Sequence, residues 1–195
     1  MPVAEIIKTA LDAAWPAIGE ELGRVPLLLW NESVFRFFFI RSLLRLYPHA
    51  ACQSQIEWNR FDLLLQADAE IALVEFKFYG YNVHRDVAGG VRRMKGAPGT
   101  QNFRATCECL SKLAGAGVNP GVVQDGGQTA SKFLILAYSH KDDVQTRRTY
   151  PSFYDPFCLP LDLAGYVQME LLRSWRAIFC PQTGYELFCK LFEIA

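Results

Sequence analysis

Hydrophobic and polar positions change period several times along the chain, and each change marks an element. From residue 3 to 22 apolar side chains recur at helical spacing (Ile6, Ile7, Ala10, Leu11, Ala14, Trp15), which predicts an amphipathic helix broken or kinked near Pro16. The run NESVFRFFFIRSLLRLYP predicts a second helix, with Asn31 as its N-cap and Pro48 as its stop. Apolar residues cover most of its circumference, so it is expected to be largely buried, with Arg36, Arg41 and Arg45 reaching outward. Glu32 falls in its first turn, where a carboxylate complements the helix dipole by roughly 0.3 kcal/mol.

Residues 51–57 (ACQSQIE) read as a strand, and RFDLLLQADAEIALVEFKF, residues 60–78, as two more joined by a tight turn at Asp68 and Ala69. Gly and charge dominate from 80 to 100, a pattern that predicts a long loop. A helix is expected from about 100 to 114, closed by Gly115, then a Gly-rich loop and a buried strand at 132–139. After the Pro-punctuated YPSFYDPFCLP, helices are expected at 162–178 and 184–194, with Thr183 and Glu186 forming a capping box for the last.

Composition places the chain among globular proteins: 195 residues, 51% hydrophobic, 21% charged, enough for one domain with a substantial core. The formal net charge of zero argues against general electrostatic wrapping of long nucleic acid. It conceals a basic segment, however: from Lys77 to Lys112 seven Lys or Arg stand against Asp86 and Glu108. The six cysteines show no CxxC pair or Cys/His spacing of a zinc or iron–sulfur site, and are expected to be reduced. No apolar run is long enough to span a bilayer, and the early charges Glu5, Lys8 and Asp12 are unlike a signal peptide, so a cytoplasmic location is expected.

The hairpin carries the candidate chemistry. Pairing Gln66 with Ile71 sets Asp62 across from Glu75 and Arg60 across from Lys77, while alternation sends Val74, Phe76 and Phe78 to the opposite face. Opposed Cβ atoms lie ~5 Å apart. Two carboxylates at that separation repel by roughly 3 kcal/mol at an effective dielectric near ~20, so something must offset them. One solution is an ion cluster with Lys77 and Arg60. The other is a divalent cation held by Asp62, Glu75 and the Phe76 carbonyl, hard oxygen ligands that suit Mg2+ or Mn2+ and leave positions for water and phosphate. Such an ion lowers the pKa of bound water and neutralises charge on a phosphoryl group, with Lys77 assisting, which suits attack on a phosphodiester.

Asp62, then Glu75-Phe76-Lys77 in a hairpin preceded by a helix bearing Glu32, resembles the PD-(D/E)XK nuclease superfamily over about residues 30–140. RFD stands where the motif name has a Pro before the Asp. The resemblance implies a single α/β domain with a restriction-endonuclease-like core (αβββαβ, a mixed central sheet flanked by helices) and extra N- and C-terminal helices, the latter over about 151–195. It implies Asp62 and Glu75 as metal-binding carboxylates, Lys77 as the catalytic lysine and Glu32 as an acid completing the metal site directly or through water. Gln101 falls where some members orient substrate. The function implied is metal-dependent hydrolysis of phosphodiester bonds, in DNA rather than RNA; the alternative is an inactive nuclease-like fold that binds nucleic acid or protein.

Arg85, Arg92, Arg93 and Lys95 are candidates for tracking the phosphate backbone, or else a solvated charged loop. His84 is a weaker candidate for a substrate contact. Tyr79 and Tyr81 are open between base stacking and packing, and Trp58 favours packing. The aromatics of SWRAIFCPQTGYELFCKLF suit either a homodimer surface or the core.

Overall fold

The computed structural model describes residues 1–51, 55–56, 61–68, 70–79, 83–85, 91–93, 100–115, 130–140, 168–181 and 184–195. The first helix, α1 (Val3–Leu22), runs unbroken through Pro16. A short 3-10 turn (Leu27–Leu29) leads to α2 (Glu32–Leu46), where Asn31 accepts from the Val34 N–H at 3.0 Å, as an N-cap should. Pro48 stops α2 but also opens a single turn, α3 (Pro48–Ala51). Then come β1 (Gln55–Ile56), β2 (Leu63–Ala67), β3 (Glu70–Tyr79), β4 (Val83–Arg85), β5 (Val91–Arg93), α4 (Thr100–Ala114), β6 (Ser131–His140), β7 (Met169–Cys180) and β8 (Tyr185–Ile194).

Six strands form one mixed sheet in the order β1-β2-β3-β6-β8-β7. Only β3 and β6 run parallel, joined by a connection that contains α4; the other pairs are antiparallel. The β2–β3 register is the predicted one, Gln66 opposite Ile71 and Leu63 opposite Val74. Asp68 at the turn takes φ 52°, a left-handed conformation that Asp tolerates better than most residues.

Each sheet face has its own core. Val74, Phe76, Phe133, Ile135 and Leu191 pack with α1 and α2 on one face; Leu73, Leu134, Leu136 and Phe192 pack with Leu110 and Leu113 of α4 on the other. Phe35 and Phe39 of α2 meet Phe76 edge-on, ring centroids 6.3 and 5.3 Å apart. Helix α1 is tied to β7 through polar atoms: Trp15 Nε1 donates to the Arg176 carbonyl at 2.7 Å, and Trp175 Nε1 donates to Asp12 Oδ1 at 2.8 Å.

Besides the unbroken passage through Pro16, three sequence expectations are corrected. Within the expected loop at 80–100, β4 and β5 pair as an antiparallel ribbon. The expected C-terminal helices are strands instead: residues 169–180 and 185–194 form β7 and β8, while 162–167 lie outside the described residues. Glu186 therefore caps no helix; it sits in β8 opposite His140 and Phe179, and Thr183 is outside the described residues. Apolar residues four apart (Leu187 and Leu191, Phe188 and Phe192) imitate a helix, but β6 needs a hydrogen-bonding partner on its second edge, and β8 supplies it. Third, Arg36 turns inward rather than outward, toward Asp62, because it lies one turn beyond Glu32 on the α2 face that meets the sheet; Arg41 and Arg45 are exposed as expected. Of the tail aromatics, Trp175, Tyr185 and Phe192 are buried in the core and Phe179 is exposed.

Leu191 is fully buried in β8, between β6 and β7. Leu191→Ala is expected to cost about 2–5 kcal/mol in urea denaturation, and β8 amides to be among the slowest to exchange with solvent. A cost under roughly 1 kcal/mol with fast exchange would contradict the strand.

Candidate functional site

The β2–β3 ladder stops at Leu63 and Val74, and Asp62 takes over where it ends. Its Oδ2 accepts the Phe76 N–H at 2.8 Å, a backbone donor that would otherwise face a departing strand. Its Oδ1 meets Arg36 Nη1 at 2.5 Å, both side chains being largely buried. Asp62 is thus fastened to β3 and to α2 at once.

Glu75 and Lys77 share the sheet face of Leu73 and Tyr79, away from Phe76 and the α2 aromatics. The Lys77 ammonium donates to Glu75 Oε1 at 2.5 Å and to the Phe76 carbonyl at 2.8 Å, and lies 3.9 Å from Glu32 Oε2. From α4, Cys109 Sγ donates to the same Glu75 oxygen at 2.8 Å. Glu75 is 5% exposed, and its second oxygen, Oε2, is buried with no hydrogen-bond partner among the described residues. A bare, buried carboxylate oxygen costs stability unless something cationic or hydrogen-bonding reaches it.

The electrostatics follow from this crowding. Burial lifts the Asp62 carboxyl above its ordinary value, Phe76 N–H opposes that, the Glu75 charge adds to it, and Lys77 and Arg36 only partly compensate. Burial likewise raises Glu32, against the pull of Lys77 and with the help of Asp62 and Glu75. Since both carboxyls hold protons more tightly folded than unfolded, their ionisation opposes folding; the opposition is absent below the ordinary carboxylate range and complete once pH passes the folded values. Lys77 goes the other way: burial disfavours its charge, but Glu75 and Glu32 together outweigh burial and hold it protonated. The Cys109 thiol is pushed up to about 12 by burial and by Glu75, so it remains a thiol.

The structure brings Glu32, Asp62, Glu75, Phe76 and Lys77 together as a mutually interacting group. Among the described residues no three His, Cys, Asp or Glu side chains are gathered into a metal cage. The donors themselves, carboxylate oxygens and a backbone carbonyl, fit a hard divalent ion, and Glu75 Oε2 is the atom that such an ion would satisfy. Arg85 stands opposite Val91 in the β4–β5 ribbon, Arg92 opposite His84 and Arg93 opposite Val83. Gln101 is in the first turn of α4. Lys95, Arg60, Trp58 and Tyr81 lie outside the described residues. Tyr79 is a core residue.

Sequence reading missed two members of the group, Arg36 and Cys109. Arg36 had a signal, its position four residues after Glu32 on the same helical face. Cys109 had none beyond a polarisable side chain on a helix, and only the placement of α4 over β3 reveals it; like the other described cysteines it is unpaired with another cysteine.

No protein-family model, curated protein or solved structure matches this chain.

Removing one member of a buried ion pair strands the other. Arg36→Met is expected to destabilise the fold by about 3 kcal/mol in urea denaturation, and addition of Asp62→Asn to recover at least half of it. An additive double variant would show that the two groups are not coupled.

Proposed function

We propose that this chain is a Mg2+- or Mn2+-dependent nuclease of restriction-endonuclease-like architecture that hydrolyses phosphodiester bonds, in DNA rather than RNA. The observation that carries the reading is the company kept by the Lys77 ammonium. A positive charge sits among Glu75 Oε1, the Phe76 carbonyl and Glu32 Oε2, oxygens that suit a hard cation, while Glu75 Oε2 is buried and unpartnered among the described residues. The order of elements supports the same reading: helix α2, the meander β1-β2-β3, helix α4, then β6 parallel to β3. The choice of DNA follows the resemblance of the Asp62 and Glu75-Phe76-Lys77 pattern.

Charge balance favours a divalent ion together with an anionic substrate. Among the described residues Glu32, Asp62 and Glu75 face the cations Arg36 and Lys77 alone, which leaves one negative charge in this group when all are ionised. A divalent ion would turn this into one positive charge, and a phosphodiester would neutralise it. Asp62, Glu75 and the Phe76 carbonyl would hold the ion, with Glu32 directly or through water. When bound, the ion supplies Lewis-acid activation and offsets charge building on the phosphoryl group. The side chains do the remaining work. Lys77, held protonated by Glu75 and Glu32, presents a fixed positive charge to phosphoryl oxygens. Arg36 and the Phe76 N–H hold Asp62 in place.

A second reading, a nuclease-like fold that binds nucleic acid or protein without catalysis, is favoured by one observation: Arg36 and Lys77 already pair with Asp62 and Glu75 within the chain. Cleavage assays separate the two. With Mn2+ or Mg2+, wild type is expected to cut single-stranded, duplex or branched DNA, chelation to abolish cutting, and Lys77→Ala or Glu75→Gln to lower the rate by about 10²-fold or more. Equal rates for wild type and Lys77→Ala would remove the lysine from its role. Metal-independent retention of DNA without cleavage would support the binding module.

A further inference from the structure

We infer that Cys109 is a positioning residue for the metal site proposed above: its thiol orients Glu75 so that Oε2 is the oxygen offered to the cation. The inference rests on the nuclease reading and deepens it. The two oxygens of Glu75 are not equivalent. Oε1 accepts from Lys77 Nζ at 2.5 Å and from Cys109 Sγ at 2.8 Å, while Oε2 is buried and has no partner among the described residues. The terminal torsion of a glutamate is broad, so without such donors the carboxylate would exchange its oxygens freely. Two donors converging on one oxygen remove that freedom.

The donors differ in what they can do during a reaction. Lys77 shares the strand of Glu75 and also contacts the Phe76 carbonyl and approaches Glu32, so it is pulled several ways, and a phosphoryl group would compete for it. Cys109 comes from α4, whose Cys107, Leu110 and Leu113 are buried against the same sheet face. Its position is set by core packing rather than by charge. It therefore stays on Oε1 when Lys77 turns to substrate, and keeps Oε2 aimed at the cation.

The test is calorimetric titration of Mn2+ into the full chain, comparing wild type, Cys109→Ser and Cys109→Ala, with thermal unfolding in the absence of metal confirming that each variant folds. Alanine removes the donor without adding bulk, and serine retains one. Partners of metal ligands typically change affinity 10- to 100-fold, so Cys109→Ala is expected to weaken Mn2+ binding about tenfold, and Cys109→Ser to remain within about threefold of wild type. Equal binding by wild type and Cys109→Ala would overturn the inference and leave the nuclease reading standing. Serine as weak as alanine would also overturn it, because the loss would then not be that of a donor. No Mn2+ binding by wild type would overturn the metal-site reading and this inference with it.

Discussion

The hydrogen bond from Phe76 N–H to Asp62 Oδ2 joins the fold to the candidate site. It forms where the β2–β3 ladder gives out, so a side chain rather than a backbone carbonyl satisfies the strand. That substitution brings a carboxylate into a buried corner, where its charge must be met. Arg36 meets it from α2, and the Phe35 and Phe39 contacts with Phe76 hold α2 at the distance that allows it. The ion pair, the aromatic packing and the end of the ladder are consequently one structural unit. Loosening any of them exposes an uncompensated charge.

The rest of the sheet keeps this corner rigid. β3 is flanked by β2 on one side and β6 on the other, and β6 is closed off by β8. The edge strand β7 carries two register shifts, between Leu171 and Arg173 and between Trp175 and Ile178, and over the same stretch it is tied to α1 through Trp175, Asp12 and Arg173. Bulges bend an edge and discourage further pairing, while α1 covers the face beside it. Glu75 and Lys77 thus stand on a strand that cannot slide, between helices that cannot drift apart without opening a core. Preorganisation of this kind is what a site needs if its charges are to act on a substrate rather than rearrange around it.

How far the sequence could be read depended on the range of the interaction involved. The hairpin register was legible because side chains alternate strictly and Asp68 tolerates the left-handed turn; both are local facts, and they set Leu63 opposite Val74, but the ladder ends there and Asp62, expected opposite Glu75, instead accepts from the Phe76 N–H. The N-cap at Asn31, the limits of α4 and the strand at 132–139 were legible for the same reason. The C-terminal strands were not. YELFCKLFEI supports both a period of four and a period of two, and nothing within it decides. The unpaired edge of β6 decides, and that edge is remote in sequence.

By itself, then, the sequence determined that this is an α/β chain with a polar hairpin in apolar strands, with Glu75 and Lys77 in its second strand, Asp62 just before its first and Glu32 in the first turn of the preceding helix. Tertiary structure alone decided which groups meet them: Arg36 on Asp62 across 26 residues, and Cys109 on Glu75 across 34. Alternation and capping are properties of neighbouring residues. Ion pairing and donor placement depend on where whole helices come to rest, which is settled by packing against both faces of the sheet.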